Sequence, residues 1–423
     1  MSLPSTDIVF TQALRAIPKR LLLGRPSVSG RLLHGLIQCL AAGRLTIVTP
    51  SGDRIETAAQ GAGPEATLNL HNWRLVRRLL ADGQIGFAES YIDGDWTSPD
   101  LAALIELFAL NQDALNRTLM GTRLARFLVR LQHRKHANTR RGSRRNIEAH
   151  YDLGNDFYAA WLDRGMSYSS AYYKPDAASG AIPSLEEAQR AKQDLVIDRL
   201  ALAGGERVLE IGCGWGGLAE RLILETGCHV TGLTLSPAQL EHARTRLEDA
   251  GLSGQHDLRL QDYRDVEGRY DRIVSIEMLE AVGAEYWQVY FTRLRQRLAS
   301  SGRAVLQVIT IAERYYESYR RDPDFIQRHI FPGGMLPSVN VLRAQIEEAG
   351  LTLRSMQHFG GSYAATLAEW QRRFQLAWPR LRGMGFDDGF KRKWEYYLAY
   401  CEAGFRAGSI DVGLYELTHP GGG

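Results

Sequence analysis

An α/β fold, with a doubly wound, mostly parallel sheet behind a smaller α+β region, is what the sequence predicts. Three observations carry the prediction. Strand and helix patterns alternate from about residue 190 to about residue 310. One of those strands ends in a glycine-rich turn, Gly212 to Gly217, that opens a helix. The chain has 423 residues, more than one ordinary core organises at about 150 residues per domain. Hydrophobic content of 44% and charged content of 23% are those of a globular chain and exclude wholesale disorder.

Three regions follow in order. Residues 1–113 read as an α+β domain. Leu45–Val48 is a strand running into the turn Ser51-Gly52-Asp53, Asn72–Asp82 and Leu101–Asn111 read as helices, and Gly86–Trp96 reads as a turn-rich connection. Residues 114–147 hold ten Lys or Arg and no Asp or Glu. The net charge of +3 therefore hides 41 basic against 48 acidic residues in the rest of the chain. Met120, Leu124, Phe127, Leu128 and Leu131 recur at helical spacing, with Arg123, Arg126, Arg130 and Arg134 on the flanks, which predicts a basic amphipathic helix. A solvated arginine face and contact with anionic lipid headgroups both fit it. Nucleic acid fits less well, because the segment has few aromatics to stack bases and no recognition motif.

Residues 148–420 hold the sheet. Strands are expected at Arg207–Ile211, His229–Leu235, Asp257–Gln261, Tyr270–Ile276 and Arg303–Ile311. Helices are expected at Gln189–Ala201, Leu218–Thr226, Pro237–Ala250 and Tyr286–Leu298, and the last hundred residues read as mainly helical. No apolar run approaches the ~18–20 residues that span a bilayer, and the N-terminus lacks a secretory pattern. Four scattered cysteines suit a reduced, cytoplasmic protein without structural zinc. His329 has no partner at ligand spacing, so no catalytic metal is expected.

The chemistry is sharpest at Val208-Leu209-Glu210-Ile211-Gly212-Cys213-Gly214-Trp215-Gly216-Gly217. A dinucleotide site would want a carboxylate where the next strand ends. Here that strand ends Gly232-Leu233-Thr234-Leu235-Ser236, without one. The first block instead resembles the cofactor motif of S-adenosylmethionine-dependent methyltransferases, and specifically of the cyclopropane-fatty-acyl-phospholipid synthase family. Further blocks resemble that family in order: His150–Tyr158, Tyr168–Tyr172, Gly232–Ser236, Gln261–Asp265, Ser275–Glu280, Asp324–Gly334 and Trp394–Arg406. The resemblance covers roughly residues 30–420.

The resemblance implies a Rossmann-like class I methyltransferase sheet behind a smaller, lipid-associated α+β domain. It implies S-adenosyl-L-methionine laid across Gly212, Cys213, Gly214, Trp215 and Gly216. Thr234, Leu235, Ser236 and Gln239 would flank its ribose and methionine parts, and Gln261, Tyr263 and Arg264 would lie towards the adenine. Tyr168 and Ser169 would cover it. The implied reaction places a carbon on a cis double bond of a phospholipid acyl chain, and Phe331 is among the aromatic groups that would face that chain. The family's base is a bound bicarbonate. Glu280, Tyr363 and the backbone of Ile309 match its cage, while Ser170 and Gln307 stand where some members carry Cys and His. That departure leaves the product open between a cyclopropane ring, by default, and a methyl-branched or methylene chain; a reading of another class is a lipid- or nucleic-acid-binding protein without catalysis.

Glu277 and Glu280 are three apart just beyond a strand, where they suit a polar cage, a direct base or a helix start. Cys401 matches a cysteine often labelled active in the family. Its helical spacing with Trp394, Tyr397 and Phe405 makes it a pocket-lining residue rather than a nucleophile. Expected partners are the inner membrane surface, held peripherally, and unsaturated acyl chains, without nucleic acid; a homodimer is compatible with the sequence.

Overall fold

A computed structural model of the chain describes residues 40–119, 153–174 and 182–421. The chain divides into two compact units, Met1–Gln132 and His133–Gly423. Arg123, Arg126, Arg130 and Arg134, and with them the expected amphipathic helix, lie outside the described residues.

In the first unit, β1 (Ala42–Val48), β2 (Arg54–Ala58), β3 (Gly61–Leu70) and β4 (Trp96–Thr97) form a sheet in the order β2-β1-β3-β4. The expected hairpin pairs β1 with β2, antiparallel. Helices α1 (Arg74–Ile92), α2 (Leu101–Leu110) and α3 (Gln112–Leu119) complete it. Leu45, Ile47, Leu68, Trp96, Leu104 and Leu107 are buried together as its core. The turn-rich connection expected at Gly86–Trp96 is instead mostly helix. Gly83, at φ +57°, breaks α1, and the chain then resumes helical turns to Ile92. Gly86 lets the second stretch lie against the first, since a Cβ there would meet the Arg78 carbonyl oxygen at 2.2 Å.

The second unit is a seven-stranded sheet in the order β10-β11-β9-β8-β5-β6-β7. In chain order it runs α4 (Asn155–Ala159), α5 (Leu185–Leu200), β5 (Arg207–Ile211), α6 (Gly217–Thr226), β6 (His229–Thr234), α7 (Pro237–Asp249), β7 (His256–Leu260), β8 (Tyr270–Ile276), α8 (Leu279–Val282), α9 (Trp287–Arg297) and β9 (Leu298–Ile311). Then come α10 (Glu313–Arg321), α11 (Phe325–His329), α12 (Val339–Glu348), β10 (Thr352–His358), α13 (Gly360–Gly383), α14 (Asp388–Arg406) and β11 (Ile410–Thr418). Strands β5 to β9 are parallel, and β11 enters antiparallel between β9 and β10. The last hundred residues are therefore not helical throughout, since β10 and β11 close the sheet.

Strand order reverses between β5, which continues to β6, and β8, which continues to β9. In such sheets the crevice beyond the carboxyl ends at this switch is where ligands bind. The glycine turn leaves β5 there, and Glu277 and Glu280 leave β8 there. Buried β strands over Leu209, Ile211, Ile273, Leu306 and Val308, packed against Trp287, Phe291 and Leu294 of α9, make that end rigid.

Candidate active site

The crevice has two halves. The first is the strand–turn–helix of β5 and α6. The backbone N–H groups of Gly212 and Cys213 both donate to the Leu233 carbonyl, which ties the turn to β6. Cys213 Sγ packs against Gly232, so its side chain faces the sheet. The Trp215 indole donates to Asn155 Oδ1 at 2.8 Å and packs on Tyr158, forming a floor. Gly214 sits at φ +53°, and a Cβ there would meet nothing within 4 Å, so this turn borders open space. Gly216, at φ +81°, is the opposite case: a Cβ would press on Ala243 and Leu247 of α7 at 3.0 and 3.1 Å.

At the end of β6, Thr234 Oγ1 donates to Gln239 Oε1 and accepts from the Ser236 amide, while Ser236 caps α7. Leu235 is half-buried between them. At the end of β7, Gln261 donates to the Asp265 carbonyl, and Arg264 makes a two-pronged pair with Asp262 while lying over Tyr263 and Tyr286. The Arg264 guanidinium is therefore already committed to Asp262. Glu210, buried on β5, leaves Oε2 without a hydrogen-bond partner, and burial raises its carboxyl to about 8, with Lys192 opposing. Open space at Gly214 and an orphaned buried carboxyl fit a ligand that carries an amino group and polar edges.

The second half surrounds Glu277. Its carboxylate accepts from three donors on three elements: the Ser170 amide at 2.8 Å, Gln307 Nε2 of β9 at 2.6 Å and the Tyr363 hydroxyl of α13 at 2.7 Å. These are the groups the family resemblance assigned to a bicarbonate cage. Here a side-chain carboxylate takes their hydrogen bonds, so the residues present do not fit a separate bicarbonate in that place. Glu277 has φ +50°, a conformation costing a non-glycine residue about 1–2 kcal/mol. It is not a helix cap. Such strain at a ligand crevice marks a residue placed for chemistry rather than for stability.

Glu280 stands beside it. Its Oε1 accepts from the Ile309 amide, and its Oε2 is buried without a partner. Burial, reinforced by the nearby Glu277 charge, raises its carboxyl to about 8. Burial raises Glu277 too, but Tyr363, Ser170, Gln307 and Lys192 all pull it back. Two adjacent carboxyls in one low-dielectric site do not both ionise easily. Three donors favour the charged form at Glu277, whereas Glu280, raised to about 8 with one donor, holds its proton at neutral pH.

Aromatic rings wall the space next to the pair. Tyr168 shares a hydroxyl contact of 2.8 Å with Tyr397 and packs on Trp370, and Tyr363 packs on Phe405 at 4.5 Å between centroids. Phe331 and Trp394 add edges to Tyr397. Burial drives the Cys401 thiol pKa well up, with the Asp324 and Glu277 charges in the same direction, so it stays a protonated lining group.

The comparisons with known proteins agree with this architecture. Residues 138–414 match the family model of the mycolic acid cyclopropane synthetases. The chain belongs to that family. The tuberculostearic acid methyltransferase UfaA1 of Mycobacterium tuberculosis is 40% identical over 371 residues, covering 86% of each chain. The cyclopropane-fatty-acyl-phospholipid synthase of Escherichia coli K12 is 36% identical over 369 residues, covering 86% of this chain and 90% of its own. A crystal structure of mycolic acid cyclopropane synthase CmaA1, complexed with SAH and CTAB, superposes with a TM-score of 0.60 at 30% identity, covering 65% of this chain and 97% of that one.

The family member described here is thus an S-adenosylmethionine-dependent methyltransferase of class I fold. Among the described residues no helix is long and apolar enough to cross a membrane. The sequence placed Glu280, Tyr363, Ser170 and Gln307 in one cage, and they do lie together. It gave Glu280 the central part, whereas the three donors point to Glu277. Also missing from that reading were Lys192 and Gln189 of α5, which hold Ser169 from behind. Their spacing on one helix face, three residues apart and just after a capping serine, was the available signal.

Proposed function

We propose that this protein methylates a carbon of a cis double bond in an unsaturated phospholipid acyl chain, with Glu277 as the base, and that the product is a methylene chain open to later reduction. The observation that carries the reading is the Glu277 carboxylate, held by three donors beside an aromatic wall. S-adenosylmethionine, when bound along Gly212–Gly216, supplies an electrophilic methyl group on a positively charged sulfur.

With S-adenosylmethionine held there, the alkene's π pair would go to that methyl carbon and the carbon–sulfur pair would stay on sulfur. The neighbouring chain carbon becomes a cation. Tyr168, Tyr363, Tyr397 and Phe331 present ring faces and edges that can stabilise such a charge without bonding to it. They also exclude the water that would trap it. A hydride then shifts from the methylated carbon to the cation, and a methyl proton passes to a Glu277 carboxylate oxygen, leaving a CH₂ group doubly bonded to the chain carbon. If the proton leaves before the hydride moves, the same electrons close a three-membered ring. Burial raises the Glu277 carboxyl and its three hydrogen bonds offset part of that rise; a carboxylate engaged by three donors takes the proton late, after the hydride has moved. The 40% identity to a tuberculostearic acid methyltransferase supports the same branch. Ring closure is the second reading, supported by the family model and the E. coli relative.

Both products add one CH₂, so mass alone does not separate them. Lipids from an unsaturated host expressing the chain are therefore hydrogenated before mass spectrometry. Uptake of hydrogen by the CH₂-gained species supports the methylene product, and resistance to hydrogenation supports the ring. No CH₂ gain at all overturns the acyl-chain reading and leaves a binding protein. We also infer that the basic segment 114–147 draws the enzyme onto an anionic lipid surface, on the strength of its charge pattern.

A further inference from the structure

At the end of the sheet away from Glu277 lies a cleft that the proposed reaction leaves unused. Its volume is about 590 Å³, and Gly268, Arg269, Arg295, Gln296, Arg297 and His419 line it. Clefts of ~300–1,000 Å³ are the size that small ligands occupy. Arg269 comes from the segment just before β8, Arg295 and Arg297 from the last turn of α9, and His419 from just after β11. Three guanidinium groups from two separate stretches of chain therefore meet in one cleft. Among the described residues no carboxylate lines it.

None of the three is neutralised: among the described residues Arg269, Arg295 and Arg297 make no ion pair. Arg295 Nε donates to the Gly350 carbonyl at 3.3 Å, and Arg297 Nη1 donates to the Gly268 carbonyl at 3.2 Å. Each contact uses one of five N–H donors and steadies the guanidinium without cancelling its charge. Arg297 Nε is buried and has no hydrogen-bond partner. The Arg269 side chain is exposed and has no hydrogen-bond partner among the described residues. Arg293 adds a further cation behind them, donating to Gln296 Oε1 at 3.2 Å. The acids nearest in sequence, Glu267 and Asp271, do not line the cleft, and Asp271 accepts from the Arg207 amide.

Arginines in the last turn of a helix can serve its dipole alone. That accounts for Arg295 and Arg297, but not for Arg269, which belongs to no helix, nor for the lack of any acid between them. Like charges gathered without a counter-charge repel one another until an anion joins them. Planar guanidinium forks match phosphate oxygens two at a time. We propose that this cleft binds a phosphorylated ligand of at least two negative charges, held by Arg269, Arg295 and Arg297. The site is separate from the catalytic crevice. Arg269 precedes β8 and Glu277 follows it, and a strand rises about 3.3 Å per residue, so roughly 20–25 Å of sheet lies between them. The proposal therefore stands whichever carboxyl is the base. A soluble phosphate compound and a phosphomonoester lipid headgroup share this chemistry, and the test separates them.

The probe is inorganic pyrophosphate, titrated into the full chain by calorimetry. The expected result is one site per chain, weakened at least about tenfold in Arg269→Gln and in Arg297→Gln, since each removes charge-assisted hydrogen bonds. Arg343→Gln removes an equal charge from the exposed surface of α12 and should bind as the wild type does. No binding by the wild type at millimolar pyrophosphate overturns the proposal. Unchanged affinity in Arg269→Gln overturns it too, as does equal weakening in Arg343→Gln, which would make the effect one of overall charge. If Arg297→Gln does not fold, as judged by circular dichroism, Arg269→Gln decides the matter, because the Arg269 side chain holds no other group in place. Turnover of Arg269→Gln without pyrophosphate should match the wild type, and its loss would overturn the separation from the crevice. Neutral vesicles doped with phosphatidate identify the source. Weaker vesicle binding by Arg269→Gln than by Arg343→Gln assigns the site to a headgroup, and equal binding assigns it to a soluble compound.

Discussion

Glu277 and Glu280 show how three residues of spacing separate two kinds of carboxyl. Glu277 has donors from Ser170, Gln307 and Tyr363, whereas Glu280 has one amide and an orphaned oxygen. Glu277→Gln removes the proton acceptor but keeps the shape, so turnover should fall by at least about 100-fold while S-adenosylhomocysteine still binds. Calorimetry beside a turnover assay checks both halves. The resemblance put Glu280 in the cage; the geometry transfers the central part to Glu277, so Glu280→Gln should keep more turnover than Glu277→Gln. Stability adds a sign that can be tested. Glu280 binds its proton more tightly folded, at about 8, than at its ordinary 4.5. Its contribution is therefore fully present below about 4.5 and is lost as pH rises towards about 8. Melts across that window should show the wild type losing stability relative to Glu280→Gln; parallel curves would contradict the burial argument. The sequence made the pair visible but could not rank its members. Ranking depends on donors from residues 170, 307 and 363, which only the fold assembles.

At the scale of elements, strand–turn–helix units were the most legible part. Arg207–Ile211 and Tyr270–Ile276 were bounded to the residue, because a buried strand ending in glycine or charge has few alternatives. Less legible were β10 and β11, whose short alternating patterns lie among aromatic-rich helices and acquire meaning only by pairing with β9. The second half of α1 was hidden for another reason: Gly83 and Gly86 look like turn signals, yet one kinks the helix and the other seats it. The glycine turn after β5 yields a paired prediction. Gly216→Ala forces a Cβ against Ala243 and Leu247 at positive φ, so it should destabilise the protein by about 1–3 kcal/mol. Gly214→Ala meets no protein atom but intrudes on the open space, so it should weaken S-adenosylhomocysteine binding more than it lowers the melting temperature. Thermal melts and calorimetry on both variants measure the contrast. Equal loss of stability in the two would mean that the turn, not the space above it, is what Gly214 serves.

For the whole molecule, charge is the property that no single element explains. A net +3 conceals ten basic residues within 114–147 and a net acidic remainder. Near an anionic bilayer each basic residue contributes about 1 kcal/mol, and that attraction decays within a Debye length of about 8–10 Å in ordinary salt. An acidic body is repelled by the same surface, so the segment has to overcome that repulsion as well as hold the enzyme down. Replacing Arg123, Arg126, Arg130 and Arg134 by Gln should therefore weaken binding to vesicles containing anionic lipid by at least about tenfold, and raising salt should weaken the wild type in the same direction. Sedimentation of vesicles with bound protein measures this. Turnover on the same lipids dispersed in neutral detergent should change far less, since the substituted residues belong to delivery and not to the Glu277 cage. Loss of turnover in detergent as large as the loss on vesicles would place the segment in the chemistry. Unchanged vesicle binding would leave its arginines as a solvated face. The two substrates together separate reaching the alkene from acting on it.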